Sequence, residues 1–257
     1  MQKRNPNKIT LKLLKKIYVS VGDRIGWDFS RMKYEREPVP WDYTEIILRY
    51  LRPRDYVLDI GTGGGEMFIE LSKHFSKGVG IDSDIKMINT AKRNAIKSNN
   101  TKISFKLMRA EDIQFTENTF DVVLNRHSVI VPKEVTKVLK QGGYLITQQV
   151  EKDNMKNLKE VFDYQKIWRN DALILSRKFE KNGCRVIATG KYNVNYWVKD
   201  IESLVFWLKA VDLPKNFNIE NHGQQLLKYI KQYSTSKGFL TNEAREFLIV
   251  QKNNCAY

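Results

Sequence analysis

Residues 56–65, Tyr-Val-Leu-Asp-Ile-Gly-Thr-Gly-Gly-Gly, constrain the fold more than any other stretch of this chain. Val57 and Leu58 read as a buried parallel strand that closes at Asp59. Gly61, Gly63, Gly64 and Gly65 then permit a turn tighter than any bulkier residue would make. Glu66, Phe68, Ile69, Leu71 and Phe75 follow at helix-compatible apolar spacing, so a helix is expected directly after the glycines. A glycine-rich turn between strand and helix sits where open α/β sheets bind their ligands.

The elements that follow arrive in an order that repeats this unit. Gly78-Val79-Gly80-Ile81-Asp82 is a second strand ending in an acid, 17 positions beyond Gly65. In nucleoside-binding α/β folds an acid at this point accepts hydrogen bonds from the ribose hydroxyls. Ser83 to Ser98 reads as a helix, with Met87 on its first turn placed to pack on a base or to fill the core. Ile103, Phe105 and Leu107 alternate as a third strand before the loop Arg109-Ala110-Glu111-Asp112-Ile113-Gln114-Phe115. Phe120 to Asn125 is a fourth strand, with Arg126-His127-Ser128 just past its end. A short helix over 131–139, a turn and fifth strand over 140–147, and helices over 151–170 and 171–182 come next. A sixth strand begins at Cys184–Thr189 and is extended by Tyr192, Tyr196 and Trp197. A helical pair spans 200–236, and Phe239 with 245–251 makes a seventh strand.

The charges around the glycine turn select among ligands. A dinucleotide would place its pyrophosphate on the helix N-terminus, but Glu66 stands where a third glycine would, and Asp59 adds a second carboxylate. Both charges suit a ligand with a sulfonium and an ammonium group instead, namely S-adenosylmethionine (SAM). Asp59-Ile60-Gly61-Thr62-Gly63-Gly64-Gly65 resembles the D/E-x-G-x-G-x-G motif of class I SAM-dependent methyltransferases, of the type 11 group. The resemblance covers roughly residues 40–190 and the last strand, and Lys140-Gln141-Gly142-Gly143-Tyr144-Leu145 is close to the family's L-K-P-G-G-x-L. It implies a Rossmann-like, seven-stranded, mostly parallel sheet with helices on both faces. It also implies SAM as cofactor, S-adenosylhomocysteine as its product, and a cofactor site of Asp59, Gly61, Thr62, Gly63, Gly65, Asp82, Ser83, Met87, Ala110, Glu111, Asp112 and Asn125. The position before Ala110 is commonly an acid in this family; here it is Arg109, so Glu111 or Asp112 would take the adenine amine.

Size and charge bound the rest. At 257 residues, 42% of them apolar, the chain suffices for one large α/β domain with decoration. A helical and aromatic cap is expected over residues 1–45, and the methyltransferase domain over 46–257 with the helical insertion at about 200–236. Cys184 and Cys255 lie far apart without metal-ligand spacing, so neither a disulfide framework nor a metal site is expected, and a reducing cytoplasm fits. No signal peptide or membrane span is expected. The net charge of +15 attracts polyanions such as RNA, although lysine is spread along the whole chain. The first 54 residues hold 13 Lys or Arg against 6 Asp or Glu. Ile9, Leu13, Leu14, Ile17, Tyr18 and Val21 share one helix face, opposite Lys8, Lys12, Lys15 and Lys16. Such a helix can lie on RNA or a membrane, and more often covers a domain. Gly22 and Gly26 end it, and the following aromatic stretch to Tyr43 reads as a loop able to close a pocket.

Methyl transfer is an in-line displacement, so much of a site for it is shape, with proton removal where the nucleophile requires it. His127 is the candidate general base, because imidazole titrates near neutrality and the family places this strand end beside the methyl group. Arg126 could orient a carboxylate or phosphate. The N-P-P-Y signature of nucleic-acid amino methylases is replaced by Asn125-Arg126-His127-Ser128. A small-molecule acceptor under an aromatic lid, with Trp27, Trp41, Tyr43 and Trp197 as candidate lining, is therefore expected. The alternative is an rRNA or tRNA methylase that uses the basic N-terminal region and stacks a base on aromatics such as Trp27, Trp41 and Trp197. A catalytically silent SAM- or nicotinamide-binding protein is the third reading. Oligomeric state is not legible.

Overall fold

The computed structural model describes residues 9–24, 26–164 and 171–254. Lys8, Cys255 and the 165–170 portion of the expected 151–170 helix lie outside the described residues. In chain order the elements are α1 (Leu11–Ser20), β1 (Tyr34–Arg36), α2 (Tyr43–Leu48), β2 (Tyr56–Ile60), α3 (Glu66–Leu71), β3 (Lys77–Asp82), α4 (Ile85–Lys97), β4 (Ile103–Leu107) and β5 (Phe120–Arg126). Then follow α5 (Pro132–Val138), β6 (Leu139–Val150), α6 (Lys156–Val161), α7 (Ala172–Lys181), β7 (Cys184–Val198), α8 (Ile201–Val211), α9 (Ile219–Tyr233), β8 (Ser234–Thr235) and β9 (Gly238–Lys252).

The chain forms two compact units. One comprises Pro40–Lys152, Trp168–Lys191 and Arg245–Tyr257; the other comprises Met1–Val39, Asp153–Ile167 and Tyr192–Ala244. The N-terminal segment and the helical pair α8 and α9 thus belong to one unit. The expected cap boundary after residue 45 differs from the observed division after Val39 because Tyr43, Ile46 and Ile47 are core residues of the first unit.

In the first unit the strand order is β4-β3-β2-β5-β6-β9-β7. β2 pairs in parallel with β3 and with β5, β6 is parallel to β5, and β9 runs antiparallel to β6 with Leu145 opposite Val250. The period-2 geometry of a strand divides each run between two cores. Leu58, Val123, Leu145 and Val250 face one core with Val135, Leu175 and Phe179 from α5 and α7. Val57, Val122, Leu124, Ile146 and Ile249 face the other with Ile47, Phe68, Leu71, Ile88 and Ala91 from α2, α3 and α4. Both faces being covered explains why these strands read as nearly continuous apolar runs. The seven strands expected from the sequence are present here.

The chain leaves β2 for β3 on one side and returns from β4 to β5 on the other. The strand order therefore reverses between β2 and β5, where Ile60 lies opposite Asn125 at the carboxyl ends. That reversal is where an open sheet offers a crevice.

The second unit is built on α1, α6, α8 and α9, whose core includes Leu14, Ile17, Leu158, Leu204, Leu208, Leu226 and Tyr229. Leu14 and Ile17 on α1 are buried, whereas Lys12, Lys15 and Lys16 face water. Lys15 pairs with Glu220 of α9 at 3.2 Å. Thr10, Asp200 and Asn218 cap α1, α8 and α9 through side-chain bonds to the first-turn amides. The aromatic stretch expected as a loop contains β1, which pairs antiparallel with Tyr196–Val198, and Tyr34 stacks on Tyr196 at 5.0 Å. Three residues are too few to show alternation, so only the partner strand defines this element. The two strands beyond the expected seven are β1 and the short β8, which pairs with β9.

Candidate active site

The glycine turn is held by backbone and by one carboxylate. The amides of Gly61 and Thr62 donate to the Ile81 carbonyl at 2.8 and 3.0 Å, and the Gly65 amide donates to the Thr62 carbonyl. Asp82 Oδ2 accepts from the Gly63 amide at 3.0 Å and Oδ1 from the Asp84 amide at 2.9 Å. The acid expected to meet a ribose thus also fixes the loop beside it. Asp84 caps α4, so the helix starts at Ile85 and Ser83 stays exposed in the connecting turn. Met87 is half-buried on α4.

Gly61, with φ +75°, is required twice over. Its backbone is left-handed, and a Cβ there would stand 2.2 Å from Ser128 Oγ, just past the end of β5. Gly65, also at φ +75°, would bring a Cβ to 2.7 Å from Phe105. The loop therefore lies bare against the turn that follows β5.

Asp59 is 3% exposed and is the penultimate residue of β2, beside this loop. Burial is the main force on its carboxyl and pushes it up to about 7. The Thr62 hydroxyl pulls it down, Asp82 adds to the rise and the Arg126 guanidinium opposes it. Thr62 Oγ1 is near enough to act on that carboxyl yet completes no hydrogen bond. It is the one buried side-chain polar atom left unsatisfied among the described residues. A buried carboxyl held near neutrality and an orphaned hydroxyl, beside a loop with no side chains in the way, form a cradle for a cationic, hydrogen-bonding ligand. SAM fits that donor and acceptor set.

Asn125 has a different task from the ligand contact expected of it. It is fully buried. Its Nδ2 donates to the carbonyls of Ile60 and Val129 at 3.2 and 3.1 Å, and its Oδ1 accepts from Thr147 Oγ1 at 3.0 Å and Gln149 Nε2 at 2.6 Å. All four bonds an amide side chain can make are taken within the protein. The bond to Val129 folds the chain back after β5, so that Arg126, His127 and Ser128 project as a turn at the crevice. His127 carries the strain of that turn, at φ +56°.

Arg126 is exposed, lies 3.8 Å from the Met67 sulfur and makes no salt bridge among the described residues. His127 Nε2 is 3.2 Å from Gln148 Nε2, and Gln148 Oε1 accepts from Trp41 Nε1 at 3.2 Å. Packed protein around the ring, then Arg245 and Arg126, hold the His127 pKa well below the usual imidazole value. The ring is exposed by area, which limits the desolvation. Both guanidinium groups disfavour a second proton on the ring.

The 109–115 loop, expected from the resemblance to meet the adenine, is mostly exposed. Arg109 pairs with Glu111 at 3.2 Å, and Gln114 donates to one oxygen of Asp112 at 3.1 Å, while Ala110 is half-buried. Of the expected acceptor-lining aromatics, Trp41 stands with this group and packs edge-on against Phe247. Tyr43 instead sits in the core at 4% exposure, its hydroxyl shared between the carbonyls of Asn125 and Ile146. Trp27 is 53% exposed beneath the Arg24 guanidinium, and Trp197 is buried with Lys237 over its ring.

Sequence reasoning missed the polar run Thr147-Gln148-Gln149, all buried near the carboxyl end of β6. Three consecutive polar residues in an otherwise apolar buried strand are a readable signal, since such groups must find partners. It also passed over Ile85, Leu107 and Val129. These large apolar residues are 50, 55 and 49% exposed, at the start of α4, the end of β4 and the turn after β5, where a ligand's ring could cover them.

The sheet order, the reversal at β2 and β5, and the acidic, glycine-lined turn are those of an open α/β sheet with a ligand crevice at its switch point. Residues 51–206 match a family described as a methyltransferase domain, and the chain belongs to that family. It is 26% identical over 154 residues to an uncharacterized methyltransferase of Schizosaccharomyces pombe, covering 54% of this chain and 53% of that one. It is 37% identical over 111 residues to the ribosomal protein L11 methyltransferase of Dictyoglomus thermophilum, covering 41% of this chain and 36% of that one. The chain thus spans about half or less of the length of these curated relatives. The YcgJ protein of Bacillus subtilis shares the fold, with a TM-score of 0.61 at 16% identity over 82% of this chain and 98% of that one.

Proposed function

We propose that this enzyme transfers the methyl group of SAM to a small-molecule acceptor. The observation that carries this reading is the occupation of the aromatics a nucleic-acid methylase would need. Tyr43 is spent on backbone carbonyls, Trp197 is buried, Trp41 is bonded to Gln148, and Trp27 lies under Arg24. Many N-terminal cations are also engaged inside the protein: Lys15 with Glu220, Lys33 with Asp200, Arg36 with Glu243, and Arg31 over Phe206. The likeness to the L11 methyltransferase is confined to about a third of that protein and supports a shared cofactor domain rather than a shared acceptor.

In this reading Asp59 and the backbone of Gly61 to Gly65 hold the amino-acid end of SAM, and Thr62 Oγ1 supplies the hydrogen bond it now lacks. Asp82 takes the ribose, with Ser83 at the same turn. Ala110, Glu111 and Asp112 meet the adenine, with Met87, Ile85 and Leu107 against its faces. Asp112 is the freer of the two acids, since Arg109 draws Glu111 away. SAM supplies the electrophilic methyl carbon on its sulfonium. Arg126 and His127, on the turn after β5, meet the acceptor.

One observation favours an RNA acceptor: Lys12 and Lys16 are exposed on α1 with no ion pair among the described residues. The two readings separate experimentally. SAM turnover with a panel of small carboxylates, amines and phenols is expected to exceed turnover with total RNA. RNA affinity is expected to be weak at 150 mM salt. Tight RNA binding that falls steeply with salt, together with methyl incorporation into RNA, would refute the small-molecule reading.

A further inference from the structure

The Trp41, Gln148 and His127 side chains form a chain whose proton arrangement is determined by chemistry alone. Indole Nε1–H is a donor and never an acceptor. Trp41 therefore fixes which end of the Gln148 amide faces it: the oxygen, at 3.2 Å. The amide nitrogen, a donor only, is then turned to His127 Nε2 at 3.2 Å. For that contact to be a hydrogen bond, Nε2 must present its lone pair. The single proton of a neutral ring then sits on Nδ1, which has no partner among the described residues. Gln148 is itself only 5% exposed, so an amide turned the wrong way would bury two facing donors.

We infer that Trp41 and Gln148 are positioning residues that hold His127 as a neutral imidazole protonated on Nδ1, so that the ring donates a hydrogen bond to an oxygen of the acceptor and removes no proton from it. The inference deepens the methyltransferase reading and rests on it for the acceptor. The lone pair a general base would use is occupied by Gln148. The charged groups that bear on the ring are Arg126 on the turn after β5 and Arg245 on β9. Both are cations, which oppose protonation at either nitrogen. Beside the donor ring stands Arg126, a second donor, so the turn presents two donors to the acceptor and no base.

The test is nitrogen-15 NMR of the full chain labelled at histidine, with His127 assigned by comparison with His74→Gln and His222→Gln. The expected pattern at pH 7 is one neutral ring with a protonated Nδ1 and a hydrogen-bonded, unprotonated Nε2, titrating at lower pH than an ordinary imidazole. Trp41→Phe removes the donor that orients the amide and should give a mixture of tautomers. Gln148→Glu offers Nε2 an acceptor, and should move the proton to Nε2 and raise the ring pKa by more than one unit. A wild-type ring protonated on Nε2, or cationic at pH 7, overturns the inference whether or not the variants fold. Calorimetry with SAM on the same sample separates the two readings: failure to bind SAM would count against the methyltransferase assignment and leave the tautomer as measured.

Discussion

Asp59→Asn should make the protein more stable and its cofactor site worse. In the unfolded chain the Asp59 carboxyl ionises at an ordinary 3.8, whereas in the folded protein burial and Asp82 delay it to about 7. Between those values the native state keeps a proton that the unfolded state has released. Stability therefore falls as pH rises through this window and levels off above about 7. The shift is a little over three units, at about 1.4 kcal/mol each, so the ionised carboxylate costs the empty protein on the order of 4 kcal/mol. An amide at 59 removes the charge but keeps a buried polar group, and the expected recovery is about 1–3 kcal/mol at pH 8. For a domain of this size that is roughly 2–4 °C in Tm for each kcal/mol.

A cationic ligand reverses the account, because it favours the carboxylate. Binding of SAM to wild-type protein at pH 6 should expel about one proton from Asp59, and affinity should be about tenfold greater at pH 8 than at pH 6. Calorimetry at both pH values, in buffers of different ionisation enthalpy, measures both quantities. In Asp59→Asn only the dependence of the ligand's own amino group should remain. If the variant is no more stable at pH 8, or if both proteins show the same pH slope, the charge argument for the cradle fails. Glu246 supplies the control. Burial also raises its carboxyl to about 7, so Glu246→Gln should likewise stabilise at pH 8 but leave the pH dependence of SAM binding as in wild type.

Three further outcomes are expected. Gly61→Ala forces a Cβ against Ser128 Oγ at a left-handed φ, and should cost about 2 kcal/mol or more and abolish SAM binding by calorimetry, with Ser128→Gly in the same chain restoring part of the stability but not all. Asn125→Ala leaves Thr147, Gln149 and the Ile60 carbonyl without this partner in the core and frees the Val129 carbonyl, and should lower the urea midpoint by the equivalent of about 2–5 kcal/mol. Tyr43→Phe loses a shared bond to two carbonyls and should cost about 1 kcal/mol in the same assay, with SAM affinity unchanged, as suits a residue of the core.

Local chemistry made part of this legible from sequence. Gly61, Gly63 and Gly65 all adopt positive φ, and no other residue type does so cheaply, so a strand-to-helix turn could be read without knowledge of its surroundings. Asp82 was legible for a similar reason: it ends a strand at a set distance from the turn. Asn125 was legible as important but not in its task. Three of its four partners come from β2 and β6, which are remote in sequence. The trio Trp41, Gln148 and His127 was hidden for the same reason, as it joins residues 107 and 21 positions apart. His127 alone suggested a base, and only its neighbours reveal that its lone pair is taken.

The amino-acid sequence by itself thus determined the succession of strands and helices, the glycine turn, its negative charge and hence the kind of cofactor. Each depends on backbone freedom, periodicity or a carboxylate at a strand end, and those are properties of contiguous residues. The tertiary structure alone decided which aromatics are available, which turn residues are held in strain, and which nitrogen of His127 carries the proton. Those depend on hydrogen-bond partners brought together across the sheet, and a donor or acceptor has no assigned role until its partner is in place.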